Sequence, residues 1–499
     1  MPGAVIPVLA GAAQLTQGPG TSAPQDPARL MARVCREALA DAGPRAATAC
    51  DGLYVVRTMS LDYADIAGDV ARRAGIAPVE SLYAATGGNT PQTLLFRAAS
   101  AVAAGRLRAV LICGAEASFS VRRVQREGAA AFDWPAPAPP PPAPDPDPPA
   151  YSPHEMENGV FAPSYAYAYF ENAMRAHLGL DHESHRRLLG RICERLSNVS
   201  AQNPYAWNRK ALSADEITLP GPDNRMVGYP YTLRMNANIF VDMAAAVLVM
   251  GEDTARDLGV SSDRLVYPLS GATLENVWNV SRRPLLHDAP ALRAAARLAL
   301  AGAGKGVEDV SLFDFYSCFP WAVEAALMEL GVPQDDPRPV SLTGGLPCFG
   351  GPGNNYSTHA LAEVVARVRE DRSQTALVTS LGWYNTRWAV GLYGGSAPKD
   401  GFHPPETARA QAAIWAASLP EPVEQAEGPF SVESAVVWHD RSGAPEHAGL
   451  VGRLSDGRRA FARTDAAAAD LADWEKDEII GLTGRVRHDP ERRMNIFGM

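Results

Sequence analysis

Residues 86–118, TGGNTPQTLLFRAASAVAAGRLRAVLICGAEAS, decide the fold of this chain. A tight turn at Gly87–Pro91 leads into the nearly all-apolar segment Gln92–Ala104, which predicts a helix, and Arg108–Gly114 then predicts a buried strand. A helix that is apolar on all sides is usually buried on all sides. Its N-terminus presents unpaired backbone N–H groups and the positive end of its dipole, which suits an anion or an oxyanion. The simpler interpretation is a core helix after a glycine turn.

The composition is typical of a globular protein with room for about two to four domains. Of the 499 residues, 46% are hydrophobic and 20% are charged, which allows a sizeable core. The net charge of -10 argues against nucleic acid as the main partner, although a local basic pocket for a phosphorylated ligand is compatible with it.

The cysteines and the start of the chain favour a cytoplasmic protein with reduced thiols. The six cysteines are scattered without metal-site spacing, and the lack of a secretory segment argues against a disulfide framework. Residues 1–17 lack the basic region of a signal peptide, and the apolar run near Ala244–Gly251 is too short to cross a bilayer. We therefore expect no membrane span.

The opening pattern occurs twice. Strands and helices alternate over residues 5–114, which predicts a mixed or parallel sheet covered by helices. A second glycine-rich loop, Gly344–Pro352, is followed by a predicted helix at Ser357–Glu370 and a predicted strand at Thr375–Thr379. This weak repeat predicts two similar α/β halves whose helix N-termini converge on one cleft.

The middle of the chain differs in character. The proline-rich segment Trp134–Pro149 excludes helix and central strand and predicts a surface spacer rather than a docking motif. Two helices are predicted at Ala162–Leu178 and Ser184–Ala201. Ala237–Gly251 predicts a helix entry followed by a strand at Ala246–Met250.

Three histidines lie close together in the predicted helices: His177, His182 and His185. A metal site needs further ligands, and no carboxylate-rich pocket is evident around these histidines in the sequence. We therefore predict no metal site.

Short alternating segments after Phe430 predict a small β-barrel. The predicted strands are Val432–His439, Ala448–Arg453, Ala460–Thr464 and Leu482–Arg487. Few aromatic residues interleave with the arginines of this region, so nucleic-acid binding is not expected.

The chain resembles the thiolase superfamily over about 400 residues. The opening stretch resembles the turn that carries the thiolase nucleophile, its buried helix and a strand ending in Gly-x-Glu. Asp314–Phe319 resembles the loop that carries an Asn or a His, and Gly344–Pro352 resembles the Gly-His-Pro loop. Thr379–Gly382 resembles the segment that carries the second catalytic cysteine.

The resemblance implies an α/β chain with a duplicated thiolase fold in five layers (αβαβα), a helical loop domain and a small OB-like C-terminal β-barrel. The barrel resembles the added domain of actinobacterial thiolase-like proteins, often named as acetyl-CoA acetyltransferases. The implied boundaries are 1–129 with 235–262 for the N-terminal half, 130–234 for the proline-rich excursion and loop domain, 263–400 for the C-terminal half, 401–428 for a linker and 429–499 for the barrel.

The resemblance also implies that the usual catalytic set is substituted. Gly88 stands at the acyl-accepting cysteine, Gly351 at the histidine, Ser380 at the acid/base cysteine and Tyr316 at the Asn or His. Claisen chemistry needs a thiolate nucleophile, an oxyanion partner and a proton carrier. Gly88 and Gly351 should instead leave space where the family has side chains, so ordinary thiolysis or condensation is not expected.

Other residues could take part in an altered mechanism. Cys318 and Cys348 are candidates for a relocated nucleophile and His359 for its activator, although each is more simply a buried core residue.

For CoA, the resemblance and the charge pattern together suggest a set of contact residues: Arg225, Arg209, Lys210, Ser270, Gly271 and Asn89. CoA or an acyl-CoA is the expected ligand, with no covalently bound cofactor. The alternative is a non-catalytic CoA-binding scaffold or accessory subunit in lipid or acyl metabolism, with a protein partner at the barrel.

Overall fold

The computed structural model describes residues 5–128, 132–143, 146–399, 401–465 and 468–498. The first elements are β1 (Pro7–Thr16), α1 (Pro27–Ala42), β2 (Cys50–Val55), α2 (Ile66–Ala74), β3 (Glu80–Tyr83), α3 (Thr90–Ala103), β4 (Ala109–Ala117) and α4 (Ser118–Glu127). An insertion follows with α5 (Pro153–Glu157), α6 (Pro163–His177), α7 (His182–Gln202), α8 (Ala214–Thr218), β5 (Met226–Gly228) and β6 (Tyr231–Thr232). The main body continues with β7 (Asp242–Gly251), α9 (Glu252–Leu258), β8 (Tyr267–Glu275), α10 (Pro290–Gly302), β9 (Leu312–Asp314), α11 (Pro320–Leu330), α12 (Tyr356–Glu370), β10 (Thr375–Gly382) and β11 (Arg387–Gly394). The C-terminal part has α13 (Ala408–Ala416), β12 (Gly428–His439), β13 (Pro445–Leu454), β14 (Arg459–Thr464), α14 (Ala468–Trp474), β15 (Thr483–Asp489) and β16 (Met494–Gly498).

The main body contains two sheets with one topology. One sheet has the strand order β1-β7-β4-β2-β3 and the other has the order β8-β11-β10-β9. In the first sheet, β7 pairs antiparallel with β1 and β4, and β4, β2 and β3 run parallel. In the second sheet, β11 pairs antiparallel with β8 and β10, and β10 and β9 run parallel. Where the second sheet would need a counterpart of β3, the Pro339 and Val340 carbonyls accept backbone hydrogen bonds from Phe313 and Phe315. The duplication predicted from the repeated pattern is therefore present.

Helix α3 lies between the two sheets, as its apolar surface predicts. It contacts β1, β4 and β7 of one sheet and β8, β10 and β11 of the other, and α12 lies beside it. Leu94, Leu95 and Phe96 are all buried in this helix although they point in different directions. Because α1 covers the first sheet and α10 covers the second, the layers alternate α, β, α, β, α.

Strand β7 corrects the prediction for Ala237–Gly251. The predicted helix entry is wrong, because Asp242–Gly251 is one continuous strand whose residues are all buried. Alanine favours helices in isolation. Here β1 and β4 pair with both edges of the strand, and these contacts outweigh the local propensity.

The proline-rich segment lies on the surface without helix or strand in its described residues, as predicted. It is anchored at both ends. The Trp134 indole donates to the Pro24 carbonyl oxygen at 2.7 Å, and the Trp383 indole donates to the Asp147 carboxylate at 2.8 Å. The insertion that follows packs α6 and α7 against α11.

None of the described helices has the length and apolar character needed to cross a membrane.

Strands β12 to β16 close a five-stranded barrel. β13 pairs with β12 and β14, and the order β14-β16-β15-β12 returns to the starting strand. Four of these strands overlap the predicted segments. β16 was not predicted, because Met494–Gly498 is only five residues long and lacks an alternating pattern.

The barrel is joined to the insertion and to the main body. Trp438 of β12 pairs with Gly228 of β5, so both belong to one sheet. The buried Arg459 side chain donates to the Arg283 carbonyl oxygen at 2.5 Å and to the Glu433 carboxylate at 2.7 Å. Glu433 belongs to β12, so the ion pair orients Arg459 within the barrel, and the contact with Arg283 fixes the barrel against the second half of the main body.

Candidate functional site

The turn that starts α3 is held by side chains from the opposite half. Asn354 Oδ1 accepts a hydrogen bond from the Gly87 N–H at 2.8 Å, and the Ser357 hydroxyl donates to the Gly88 carbonyl oxygen at 3.1 Å. Asn354 lies in the turn just before α12 and Ser357 in the first turn of that helix, so the N-terminal ends of α3 and α12 meet. Neither residue stands out in the sequence. The available signal is the pair of asparagines after the glycine loop, since asparagine favours helix starts.

Tyr316 fills the space beside Gly88. A Cβ atom on Gly88 would lie 2.8 Å from Tyr316 Cζ, and closer still to the tyrosine hydroxyl and to the Leu381 carbonyl oxygen. The expectation of open space at Gly88 is therefore wrong. At Gly351 it agrees with the structure, because the nearest atom to a Cβ there would be the Asn238 carbonyl oxygen at 3.5 Å, an ordinary contact.

Tyr316 is held in place by its backbone and its ring. Its N–H donates to the Thr379 hydroxyl at 2.9 Å, and its ring meets Tyr356 edge-on with centroids 5.5 Å apart. Burial raises the pKa of Tyr316 well above its usual value. The phenol is therefore neutral at physiological pH and is neither an acyl acceptor nor a base of thiolase type.

Ser380 is bound inside the core. Its hydroxyl oxygen accepts a hydrogen bond from Gln92 Nε2 at 2.7 Å, and the same amide nitrogen donates to the Val378 and Ala389 carbonyl oxygens. Gln92 Oε1 accepts from the Tyr393 hydroxyl at 2.7 Å. A fully buried serine in such a network is a structural residue of the interface between α3 and β10, and its hydroxyl has no activating base in it.

The two candidate thiols are not activated. Burial raises the pKa of Cys318 to about 12 and the pKa of Cys348 to about 11. Both sulfurs are therefore protonated near neutral pH, whereas a thiolate is the reactive form. The surroundings of Cys318 include the aromatic residue Tyr167, and Cys348 lies beside Ser197.

His359 forms no hydrogen bond to either thiol in the described part of the chain. Its Nδ1 is 3.0 Å from Gln14 Oε1, its ring meets Phe349, and its Nε2 has no hydrogen-bond partner within the described ranges. Burial lowers the pKa of His359 to about 3, so the imidazole is neutral. The structure thus separates His359 from the role of thiol activator.

The basic residues suggested for CoA are in different situations. Arg225 donates to the carbonyl oxygens of Met226 at 3.1 Å and of Asp440 at 3.3 Å, and so connects the insertion to the barrel. Lys210 forms an ion pair with Glu216 at 3.3 Å. Arg209 is exposed. Within the described ranges Arg209 forms no ion pair, whereas Lys210 is paired and Arg225 is bound to carbonyl oxygens.

The remaining suggested CoA contacts are buried. A Cβ on Gly271 would overlap the ring of Phe96, whose Cδ1 lies 2.9 Å from that position, and Ser270 is fully buried against Gly302. Asn89 is 4% exposed, and its Oδ1 has no hydrogen-bond partner in the described part of the chain. Only Asn89 of these three lies at the turn beside Gly88.

The three neighbouring histidines are separated. His177 stacks on His287, with ring centroids 4.0 Å apart, and His182 Nδ1 lies 2.8 Å from the Tyr229 hydroxyl. His185 points into the core, where its Nε2 lies 3.0 Å from Glu171 Oε1. The prediction that no carboxylates lie near these histidines is wrong for His185.

Comparisons with known proteins find relatives of the C-terminal domain and of the chain as a whole. The family model of the thiolase-like protein type 1 additional C-terminal domain matches residues 410–491. The crystal structure of a monomeric SCP2-thiolase-like protein type 1 from Mycobacterium smegmatis superposes with a TM-score of 0.84 at 30% identity, over 99% of each chain. The fold class predicted from the sequence is confirmed by this similarity.

A second solved structure shares the fold at lower identity. The Ltp2–ChsH2(DUF35) aldolase superposes with a TM-score of 0.60 and 19% identity, over 78% of this chain and 97% of that chain. No curated protein matches the chain by sequence.

Proposed function

This chain belongs to the SCP2-thiolase-like protein type 1 family, and we propose that it binds CoA or an acyl-CoA without carrying an acyl group on a cysteine. One observation supports the second part of the proposal above all: the Tyr316 hydroxyl and the Leu381 carbonyl oxygen lie where the side chain of a nucleophile at Gly88 would begin. A cysteine there would have no room for its Cβ, and still less for a sulfur.

The neighbouring groups support the same conclusion. Condensation requires a base that removes a proton from the α-carbon of an acyl group. Ser380 is bound to Gln92 in the core, and the thiols of Cys318 and Cys348 stay protonated near neutral pH. We therefore do not assign acetyl-CoA acetyltransferase activity of the Claisen type to this chain.

Binding of CoA is proposed on the family fold and on the retained turn. The first turn of a helix offers unpaired N–H groups to an anion, and Asn89 lies at the start of α3. Arg209 is an exposed cationic residue of the insertion that forms no ion pair among the described residues, so it is available to a phosphate. An exposed ion pair is worth about 0.2–1 kcal/mol, so Arg209→Ala should weaken CoA binding by roughly 1.4- to 5-fold.

The test is a calorimetric titration of the full chain with CoA and acetyl-CoA, followed by intact mass spectrometry of the incubated protein. We expect heat of binding, no mass increase that survives denaturation, and no thiolysis or condensation. Arg209→Ala should weaken binding, whereas Arg256→Ala, an exposed arginine on α9, serves as the matched control. An acyl adduct on any cysteine would refute the mechanistic part, and absence of binding to both ligands would refute the ligand.

An accessory subunit is the second candidate, and one surface favours it. Phe119 and Phe240 are 38% and 40% exposed, and the Phe119 ring contacts Trp207 with centroids 5.1 Å apart. Exposed aromatic groups of this kind are enriched at protein interfaces. This alternative predicts that one defined partner co-purifies with the wild type and with Arg256→Ala, but not with Phe240→Ser. It also predicts silent CoA titrations.

A further inference from the structure

A buried cluster of three potential metal ligands lies where the insertion meets the second half of the main body. Glu171 belongs to α6, His185 to α7 and Glu324 to α11. One carboxylate or imidazole donor atom from each lies within 4.8 Å of the other two. The residues are 0%, 1% and 3% exposed, so water does not surround their polar atoms.

The charges in this cluster are not balanced by the protein contacts. His185 Nε2 lies 3.0 Å from one Glu171 oxygen, and the Tyr231 hydroxyl donates to the other at 2.7 Å. Neither oxygen of Glu324 has a hydrogen-bond partner among the residues that the structure describes. Burying a carboxylate without a partner costs several kcal/mol, so the structure needs either a cation or a proton here.

We propose that Glu171, His185 and Glu324 bind a divalent first-row transition metal ion such as Zn²⁺. Imidazole nitrogen and carboxylate oxygen are ligands that this class of ion accepts at about 2.0–2.2 Å, and three protein ligands leave a fourth position for water. Two positive charges balance the two carboxylates. The Tyr231 hydroxyl orients Glu171, as outer-shell hydrogen bonds do around metal ligands.

The proposed ion would be coordinated by three helices from two parts of the chain. Ligands on α6 and α7 belong to the insertion, whereas Glu324 lies on α11. The buried position indicates a structural ion that is enclosed during folding, because binding to a site that exists only in the folded state stabilises that state. This inference does not depend on the proposed binding of CoA.

The test uses the full chain, produced with zinc in the medium, desalted and analysed for metal by plasma mass spectrometry. We expect close to one zinc per chain in the wild type and in His182→Asn, the matched control from the same helix. Glu324→Gln and His185→Ala should lose the zinc. Tyr231→Phe should retain the ligands but bind zinc about 10–100-fold more weakly.

Cobalt provides a second measurement if His185→Ala fails to fold. Co²⁺ in place of zinc should give a visible absorption spectrum of a four- or five-coordinate ion in the wild type, and Glu324→Gln should abolish it. Absence of metal in the wild type with zinc and with cobalt would overturn the proposal and assign the charge balance to a proton shared by the two glutamates. Zinc retained in both Glu324→Gln and His185→Ala would also overturn it, because the ion would then lie elsewhere.

Discussion

The contact of Tyr316 with Gly88 gives a direct prediction for the variant Gly88→Ala. The added methyl group would lie 2.8 Å from Tyr316 Cζ and closer to two oxygen atoms, one of which belongs to the backbone of Leu381. Normal contact between carbon atoms is about 3.5–4.0 Å. The tyrosine ring is buried, and it cannot move without disturbing Tyr356. Overpacking of this kind costs about 1–3 kcal/mol.

Gly351→Ala is the matched control for this variant. It adds the same methyl group at another glycine that the resemblance to thiolases aligns with a catalytic side chain, and its nearest contact would be 3.5 Å. Neither glycine has a positive φ, so neither backbone conformation opposes alanine. Alanine also restricts the unfolded chain, which stabilises the folded state by about 0.4–1 kcal/mol where there is no strain. Gly351→Ala should therefore be neutral or slightly stabilising, and Gly88→Ala should remain destabilising after this offset.

Thermal unfolding measured by calorimetry tests both variants. Gly88→Ala should lower the midpoint of the main-body transition by a few degrees, and Gly351→Ala should leave it unchanged or raise it slightly. Combining Gly88→Ala with Tyr316→Leu should recover part of the loss, with a coupling free energy of about 0.5–3 kcal/mol. The recovery should be partial, because the Leu381 carbonyl oxygen remains. Equal midpoints for the two alanine variants would refute the reasoning.

Three further predictions concern the thiols, the barrel and the core. Cys318 and Cys348 should react slowly with iodoacetamide at pH 7, since burial raises their pKa; rapid labelling of the native protein would contradict this. Burial alone would raise the pKa of Glu433, but the hydrogen bonds and charges of Arg459 and Arg453 outweigh burial and hold that pKa below its ordinary value. The stabilisation is therefore present above about pH 4.3 and is lost as the pH falls through the folded-state pKa; the wild type should lose more stability than Glu433→Gln between pH 5 and 3, and parallel pH curves would count against it. Gln92→Leu should destabilise the core by about 1–3 kcal/mol for each polar partner left unpaired, and a neutral result in urea denaturation would show that water satisfies them.

The sequence predicted the elements whose pattern is local. The glycine turn, the all-apolar helix and the buried strand of residues 86–118 occur as expected, because burial on all sides leaves a continuous apolar run. The second copy of this pattern gave the duplicated topology. In β7 the local pattern gave a wrong prediction, because the conformation of its alanine-rich run is set by pairing with two neighbouring strands and not by its own propensity.

The contents of the cleft depend on residues far apart in the chain. Gly88 and Tyr316 are separated by more than two hundred residues, and alignment with a family pattern indicates only that each position has changed. It does not indicate that one side chain fills the space vacated by another. The cluster around His185 was missed for the same reason, because its two carboxylates lie on other helices and Glu324 is remote in sequence.

The pairing of Trp438 with Gly228 has a consequence for the order in which the protein is made. The insertion leaves the ribosome long before the barrel, yet β5 and β6 complete their sheet only when β12 has been synthesised. Arg459, which anchors the barrel to the Arg283 carbonyl oxygen, also comes late in the chain. The sheet of the insertion is therefore incomplete until the segment that begins with β12 at Gly428 has been synthesised. A chain released before that point has an open sheet edge at its centre.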